Sequence, residues 1–330
     1  MHEVDRSASG RRGAVHPSAA VPAAYGGPGW SPRTAALRDE LGTLWAPCGV
    51  SCEFAPLRAV LLHCPGPELS AADPDAALLL APVDSGRAAT EHDALADAYR
   101  AAGVEVVYVD PAAAAALTPN LMFVADLVFL TPEGAILARP ASTVRAGEER
   151  WVARRLADLG IPILRTVGGT GVFEGADAMW LDARTVLLAR GLRTNEAGAT
   201  QVAATLRELG VEVVHTALPP GTMHLMGQIR IFDRDLAVVR EDRIDGAARD
   251  ALAAHGYDVV AFPDEREMDD GFAHNVVTLG PRDIVMPAGR PVTQGFYESL
   301  GVRCTTVVVD ELIRAAGGIG CLTAVLRREN

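Results

Sequence analysis

Cys321 stands near the end of the chain, in "AAGGIGCLTAVLRREN", with Gly317, Gly318 and Gly320 beside it. A buried structural cysteine packs as a small hydrophobe and needs no such backbone. Glycines around it imply a close approach to the main chain or a sharp turn. Other reactive types lie far upstream: Asp126 in "NLMFVADLVFL", Glu174 and Asp177 in "GVFEGADAMWL", His224 in "GTMHLMGQIRIF" and Asn275 in "FAHNVVTLG". A thiolate is a nucleophile that needs activation by a base or a nearby positive charge, and a histidine within reach shuttles the proton. Several carboxylates around an electrophile oppose the negative charge that ester and phosphate transition states gather. They suit a substrate that is itself a cation. A guanidinium fits, because its planar fork of five N–H donors matches carboxylates bidentately. Its charge also favours the thiolate that attacks it.

Singly, each residue has an ordinary reading: Asp126 as a turn residue at a strand start, Glu174 and Asp177 as a solvated pair, His224 as a satisfied core histidine, Cys321 as an inert thiol. Their placement argues otherwise. Five segments share one grammar, an amphipathic helix, a terminal glycine and a short β-branched run: "DALADAYRAAGVEVVYV", "RWVARRLADLGIPILRTV", "QVAATLRELGVEVVHTAL", "ARDALAAHGYDVVAF" and "PVTQGFYESLGVRCTTVVV". The glycines are Gly103, Gly160, Gly210, Gly256 and Gly301, each suited to the left-handed position that stops a helix. Hairpin-like pairs precede the later helices, in "DLVFLTPEGAILAR", "DAMWLDARTVLLAR", "IRIFDRDLAVVR" and "NVVTLGPRDIVMPA", each with two apolar runs flanking a polar turn. The first module, with "LRAVLLHCPG", is less regular. The unit is strand, strand, helix, strand. Five copies argue against a doubly wound dinucleotide fold, and no G-x-G-x-x-G follows a strand and opens a helix. Such a repeat can close radially around a central pocket. Asp126 begins the first strand of one hairpin, Glu174, Asp177, His224 and Asn275 precede the next three, and Cys321 precedes the last strand. One unit after another presents a reactive group at the same edge.

With these blocks in view, "FVAD", "FEGAD", "RTNEAG", "MHL" and "GGIGCLT", the chain resembles the guanidino-group-modifying enzymes: arginine deiminases, dimethylarginine dimethylaminohydrolases and amidinotransferases. The resemblance runs over roughly residues 52 to 328. It implies a five-bladed pseudo-symmetric α/β propeller (pentein) of repeated ββαβ units. It implies Cys321 as nucleophile, His224 as general acid and base, Glu174 and Asp126 as guanidinium-binding carboxylates, and Arg145 and Arg193 as holders of the substrate's carboxylate. Asp177 and Asn275 are further pocket candidates, with His274 and Asp233 as lesser ones. The implied reaction is hydrolysis of a C–N bond of arginine or a substituted arginine through a covalent cysteine intermediate. The alternatives are an amidinotransferase, in which an amine resolves that intermediate, and a non-catalytic binding protein on the same architecture. No cofactor or metal is implied, and the isolated pair Cys48 and Cys52 is too little for a zinc site. Four positions depart from the family pattern: Ala125 stands where Arg or Glu is usual, Ala176 replaces a glycine, Met226 replaces an acid or a lysine, and Gly320 replaces a larger residue.

The bulk composition agrees. A formal charge of −12 argues against nucleic acid and anionic membrane as partners and leaves a small-molecule guanidino compound as the expected one. Five cysteines without disulfide spacing point to a reducing cytoplasm. No apolar run is long enough for a membrane-spanning helix. Residues 1–45, opening on an Ala-, Gly-, Pro- and Ser-rich stretch without a signal-peptide core, are expected to be a mobile tail, and residues 46–330 a single catalytic domain. A homodimer is the default assembly.

Overall fold

The computed structural model describes residues 21–109, 118–263 and 265–329. Of the expected tail, residues 1–20 lie outside the described residues. The chain divides into two compact units, one ending at Asp39 and the other starting at Glu40. In the first, the described residues include a single 3-10 turn at Ala23–Tyr25.

The second unit is built of five three-stranded sheets. Their strands are β1 Leu57–Leu62, β2 Glu105–Tyr108, β3 Val128–Thr131, β4 Gly134–Leu137, β5 Ile163–Thr166, β6 Ala178–Asp182, β7 Thr185–Arg190, β8 Glu212–Ala217, β9 Ile229–Asp233, β10 Leu236–Val239, β11 Asp258–Ala261, β12 Val277–Gly280, β13 Asp283–Pro287, β14 Arg303–Val307 and β15 Ala324–Arg328. In each of the four later modules a hairpin pairs antiparallel and its second strand then pairs parallel with a third, as in β3–β4–β5 and β6–β7–β8. A parallel partner needs a crossover. The helices α1 Ser85–Ala101, α2 Glu149–Asp158, α3 Glu196–Glu208, α4 Gly246–Ala254 and α5 Pro291–Ser299 supply one per sheet.

Local chemistry sets the helix ends. The Asp84 side chain accepts from Gly86 and Arg87 N–H, Asn195 from Gly198 N–H and Asp245 from Ala248 N–H, which caps α1, α3 and α4. Gly103, Gly160, Gly210, Gly256 and Gly301 all have φ between 75° and 82°, the left-handed stop that their sequence spacing suggests.

The irregular first module has a physical reason. Its hairpin partner is the far end of the chain: β15 runs antiparallel to β1, which pairs parallel with β2. Burial grades across every sheet. The middle strands β4 and β10 are wholly buried, whereas the third strands β5 and β11 are mostly exposed or half-buried. The third strands are therefore the accessible edges of their sheets. Sheets touch through buried strands, β15 against β3, β9 against β12 and the middle strand β1 against β12. Trp180 of β6 stacks on Phe129 of β3 with ring centroids 5.8 Å apart and donates its indole N–H to Leu130 O at 3.1 Å. Among the described residues no helix is long and apolar enough to cross a membrane.

Candidate active site

Short 3-10 turns at Val124–Asp126, Gly175–Asp177 and Leu225–Gly227 stand immediately ahead of β3, β6 and β9. This corrects the reading of Asp126 as the first residue of a strand: β3 begins at Val128. The turn withdraws the carboxylate from the ladder and leaves it at the inner edge of the sheet. Glu174 and His224 are the extended residues that open the second and third turns.

Those turns bring the carboxylates and the imidazole together. Glu174 Oε2 lies 2.6 Å from His224 Nε2, and Asp126 Oδ1 lies 3.7 Å from the same nitrogen. All three side chains are at most 4% exposed. Burial opposes the imidazolium, but Asp126, the Glu174 hydrogen bond and Asp177 outweigh it and push the histidine up to about 9. Against its own burial, the same bond and the charges of His224, Arg145 and Arg193 hold Glu174 below the usual carboxylate range. The pair is therefore imidazolium and carboxylate at neutral pH.

Arg145 is buried and already engaged. It donates to Asp126 Oδ2 at 2.6 Å, to Glu148 Oε2 at 2.8 Å and to Phe123 O at 3.1 Å. Arg193 donates to both oxygens of Glu174 at 3.2 and 3.3 Å. Asp177 faces neither cation: it accepts from Thr194 Oγ1 at 2.7 Å and from Leu225 N–H at 3.1 Å, fastening the turn after His224 to the β6 turn. Burial raises its carboxyl to about 6.

Asn275 touches the sulfur. Its Nδ2 donates to Cys321 Sγ at 3.0 Å, and its Oδ1 accepts from Gly320 N–H at 2.7 Å and Cys321 N–H at 3.3 Å. This contact explains the glycines. A Cβ on Gly318 would lie 2.8 Å from Asn275 Cβ, one on Gly320 would lie 2.5 Å from Arg230 Nη2, and one on Gly317 would lie 2.2 Å from the Phe123 ring. The loop is glycine-rich because three side chains press on its backbone. Burial raises the Cys321 thiol and the nearby Asp126 charge raises it further, while the Asn275 and Gly318 N–H donors and the Arg230 charge pull it down.

Cys321 lies where two cavities meet. One, of about 200 Å³, is lined by His224, Asn275 and Gln228; the other, of about 40 Å³, by Asn120, Asp126, Arg145 and Arg193. Seven of the eight candidate residues thus belong to one ion-pair network or line these cavities with the sulfur, Asn275 among them holding the sulfur, and Asp177 braces the turn. His274, bonded to Tyr297 Oη at 2.7 Å, and Asp233, paired with Arg282, take no part in it. Sequence reading missed Glu148, whose carboxyl burial raises to about 7; its i,i+3 spacing from Arg145 was the available signal. It also missed Arg230, a charged residue alternating inward on β9. Ala125, Ala176 and Met226, three of the four departures, line a single further cavity of about 90 Å³. Oxygen and nitrogen atoms of Asp126, Glu174 and His224 lie within 4.8 Å of one another, as do ligand atoms of Cys64, His92 and Asp93. In the first trio the Glu174–His224 bond and the two arginines engage Glu174 and one oxygen of Asp126, while Asp126 Oδ1 is buried without a hydrogen-bond partner.

Comparison with known proteins assigns the chain to the guanidino-group-modifying superfamily. The family model "N,N dimethylarginine dimethylhydrolase, eukaryotic" matches residues 82–328, and the chain belongs to that family. The N(G),N(G)-dimethylarginine dimethylaminohydrolase of Streptomyces coelicolor is 29% identical over 258 residues, 74% of this chain and 88% of its own. A mutant dimethylarginine dimethylaminohydrolase of Pseudomonas aeruginosa, complexed with citrulline, superimposes with a TM-score of 0.68 at 20% identity, over 83% of this chain and 100% of that one. An amidinotransferase of Microseira wollei, from a saxitoxin biosynthetic pathway, gives 0.69 at 14% identity, over 86% and 98%.

Proposed function

We propose that the protein hydrolyses a C–N bond of a guanidino substrate, arginine or a substituted arginine, through a covalent intermediate on Cys321. The observation that carries this reading is the buried Glu174–His224 pair at 2.6 Å, whose imidazole lines one cavity with the Cys321 sulfur. An imidazolium held in place beside a thiol is an acid ready to protonate a departing amine. The five sheets close radially, so that all the groups converge on one centre; the contacts between their buried strands support that closure.

The guanidinium sits against Asp126 and Glu174, where its charge replaces part of the field now supplied by Arg145 and Arg193. Its arrival beside Asp126 also offsets the charge that raises the thiol, so substrate binding favours the thiolate. The sulfur attacks the guanidino carbon, and His224 passes its proton to the nitrogen whose C–N bond breaks. A cationic thiouronium remains on Cys321. Water then attacks that carbon, His224 takes its proton, the C–S bond breaks and a ureido product departs. The relative complexed with citrulline, the ureido counterpart of arginine, fits this outcome.

The test is mass spectrometry of the enzyme quenched with arginine and with methylated arginines. An adduct mapping to Cys321, with ureido product formed in the absence of any amine acceptor, is expected. Conversion that requires an added amine would replace hydrolysis by transfer. Cys321→Ser is expected to lower turnover by at least about a thousandfold with its circular dichroism unchanged.

A further inference from the structure

The imidazole that protonates the departing nitrogen has to face it. His224 lines the larger of the two cavities that meet at Cys321 and not the smaller. On the hydrolase reading, on which this inference rests, the released amine therefore lies in the larger cavity. The arm that stays with the ureido product lies on the side of Arg145 and Arg193.

The larger cavity, at about 200 Å³, exceeds what ammonia or dimethylamine would fill, since one water needs only roughly 10–15 Å³ by the same measure. Met226, Met268 and Phe272 give it an apolar wall suited to a carbon chain. Arg243 lines the same cavity, half-buried, and among the described residues no carboxylate pairs with it. Its neighbour Arg240 differs, being paired with Glu265 and Asp269. Thr222 Oγ1 and Gln228 Oε1, on residues lining this cavity, are buried without a hydrogen-bond partner. A half-buried guanidinium with which no described carboxylate pairs, lining one cavity with the reactive sulfur, suits a carboxylate, which it binds in bidentate geometry.

We propose that the amine released at Cys321 carries a carboxylate on a short apolar chain, and that Arg243 binds that carboxylate. The amine leaves with the proton from His224 as its C–N bond breaks and the C–S bond forms.

Arginines whose second terminal nitrogen bears either a carboxyalkyl or an alkyl group of equal length are the probes. Wild type is expected to favour the carboxyalkyl compound by about tenfold or more in kcat/KM, and Arg243→Gln to reduce that preference severalfold. Release of the aminoalkanoate from the carboxyalkyl arginine, with ureido product, is expected; a guanidinoalkanoate formed only when arginine and an aminoalkanoate are supplied together would replace hydrolysis by transfer and overturn the reading on which this inference rests. Calorimetry of an aminoalkanoate with the Cys321→Ser protein, repeated with Arg243→Gln added, reads the subsite without turnover. If wild type converts arginine or methylarginine but shows no carboxylate preference, this inference is overturned and the hydrolase reading stands. If no guanidine is converted, the hydrolase reading falls, and aminoalkanoate binding that ignores Arg243→Gln overturns the subsite separately.

Discussion

At the residue scale the site works by placing charges that burial alone would forbid. Asn275 bears most directly on the nucleophile, because its N–H on Sγ stabilises the thiolate while its carbonyl oxygen holds the Gly320 and Cys321 amides. Asn275→Ala removes the donor, so the thiol rises further and the acidic limb of the kcat/KM profile moves to higher pH. A drop in kcat of about tenfold or more accompanies it. A profile unmoved along the pH axis would deny Asn275 that role. The His224–Glu174 pair makes a second prediction through linkage. His224 is raised above its ordinary 6.5, to about 9, so its stabilising contribution is complete below 6.5 and is lost as pH rises through 9. Glu174 is depressed, so its share is complete above its ordinary 4.5 and is lost as pH falls below that. His224→Ala should therefore destabilise most between those two ordinary values, and the stability gap to wild type should shrink by pH 10 in urea melts. A gap that stays constant with pH would show that the imidazole's charge contributes nothing to the fold.

At the element scale the turns ahead of β3, β6 and β9 are the parts that fit sheet to sheet. Gly175 is the first residue of the turn ahead of β6, directly after Glu174, and an added Cβ there would stand 2.3 Å from Val128 O and 2.6 Å from Ala125 O. Both neighbours are backbone, so Gly175→Ala has to push the two turns apart. It is expected to cost about 1–3 kcal/mol of stability and, by shifting Glu174 away from His224, to lower kcat/KM by about a hundredfold. Activity retained alongside a lowered melting temperature would separate the turn from the site. This scale also marks where sequence reading succeeds and where it stops. The helix-stopping glycines and the hairpins are local signals, with left-handed backbone and two-residue alternation written into neighbouring positions, and the repeat follows from them. The matched edge positions then single out Asp126, Glu174, His224 and Cys321. Asp177 was illegible in its detail: only tertiary placement aims it at Thr194 and Leu225 N–H rather than at the pocket. Glu148 and Arg243 read as ordinary surface charges, because nothing local records that one is sealed beside Arg145 and the other lines a cavity.

At the scale of the molecule, the element hardest to read from local pattern is the one that joins the ends. The first module looks incomplete because its missing strand is contributed by residues more than two hundred and fifty positions later, with Leu57 opposite Arg328 and Leu61 opposite Ala324. Such pairing has no local signature, since strand order depends on chain closure rather than on composition. It also binds the nucleophile to the fold, because Cys321 leads into β15 within three residues. β15 touches β3 as well as β1, Arg328 donates to Ala55 O at 2.6 Å, and Arg328 N–H reaches Gly49 O at 3.0 Å. Leu326 is the buried side chain at the middle of that seam, 2% exposed. Truncating it leaves a cavity between the first and second sheets and is expected to cost about 2–5 kcal/mol. If the seam is what holds five otherwise separate sheets in one cooperative unit, Leu326→Ala lowers the urea midpoint of ellipticity and of activity together, by the same amount, with the slope unchanged. Were it not, the first sheet would melt alone: activity, which depends on Cys321 at the root of β15, would be lost at lower urea than the bulk of the secondary structure, and the two curves would separate.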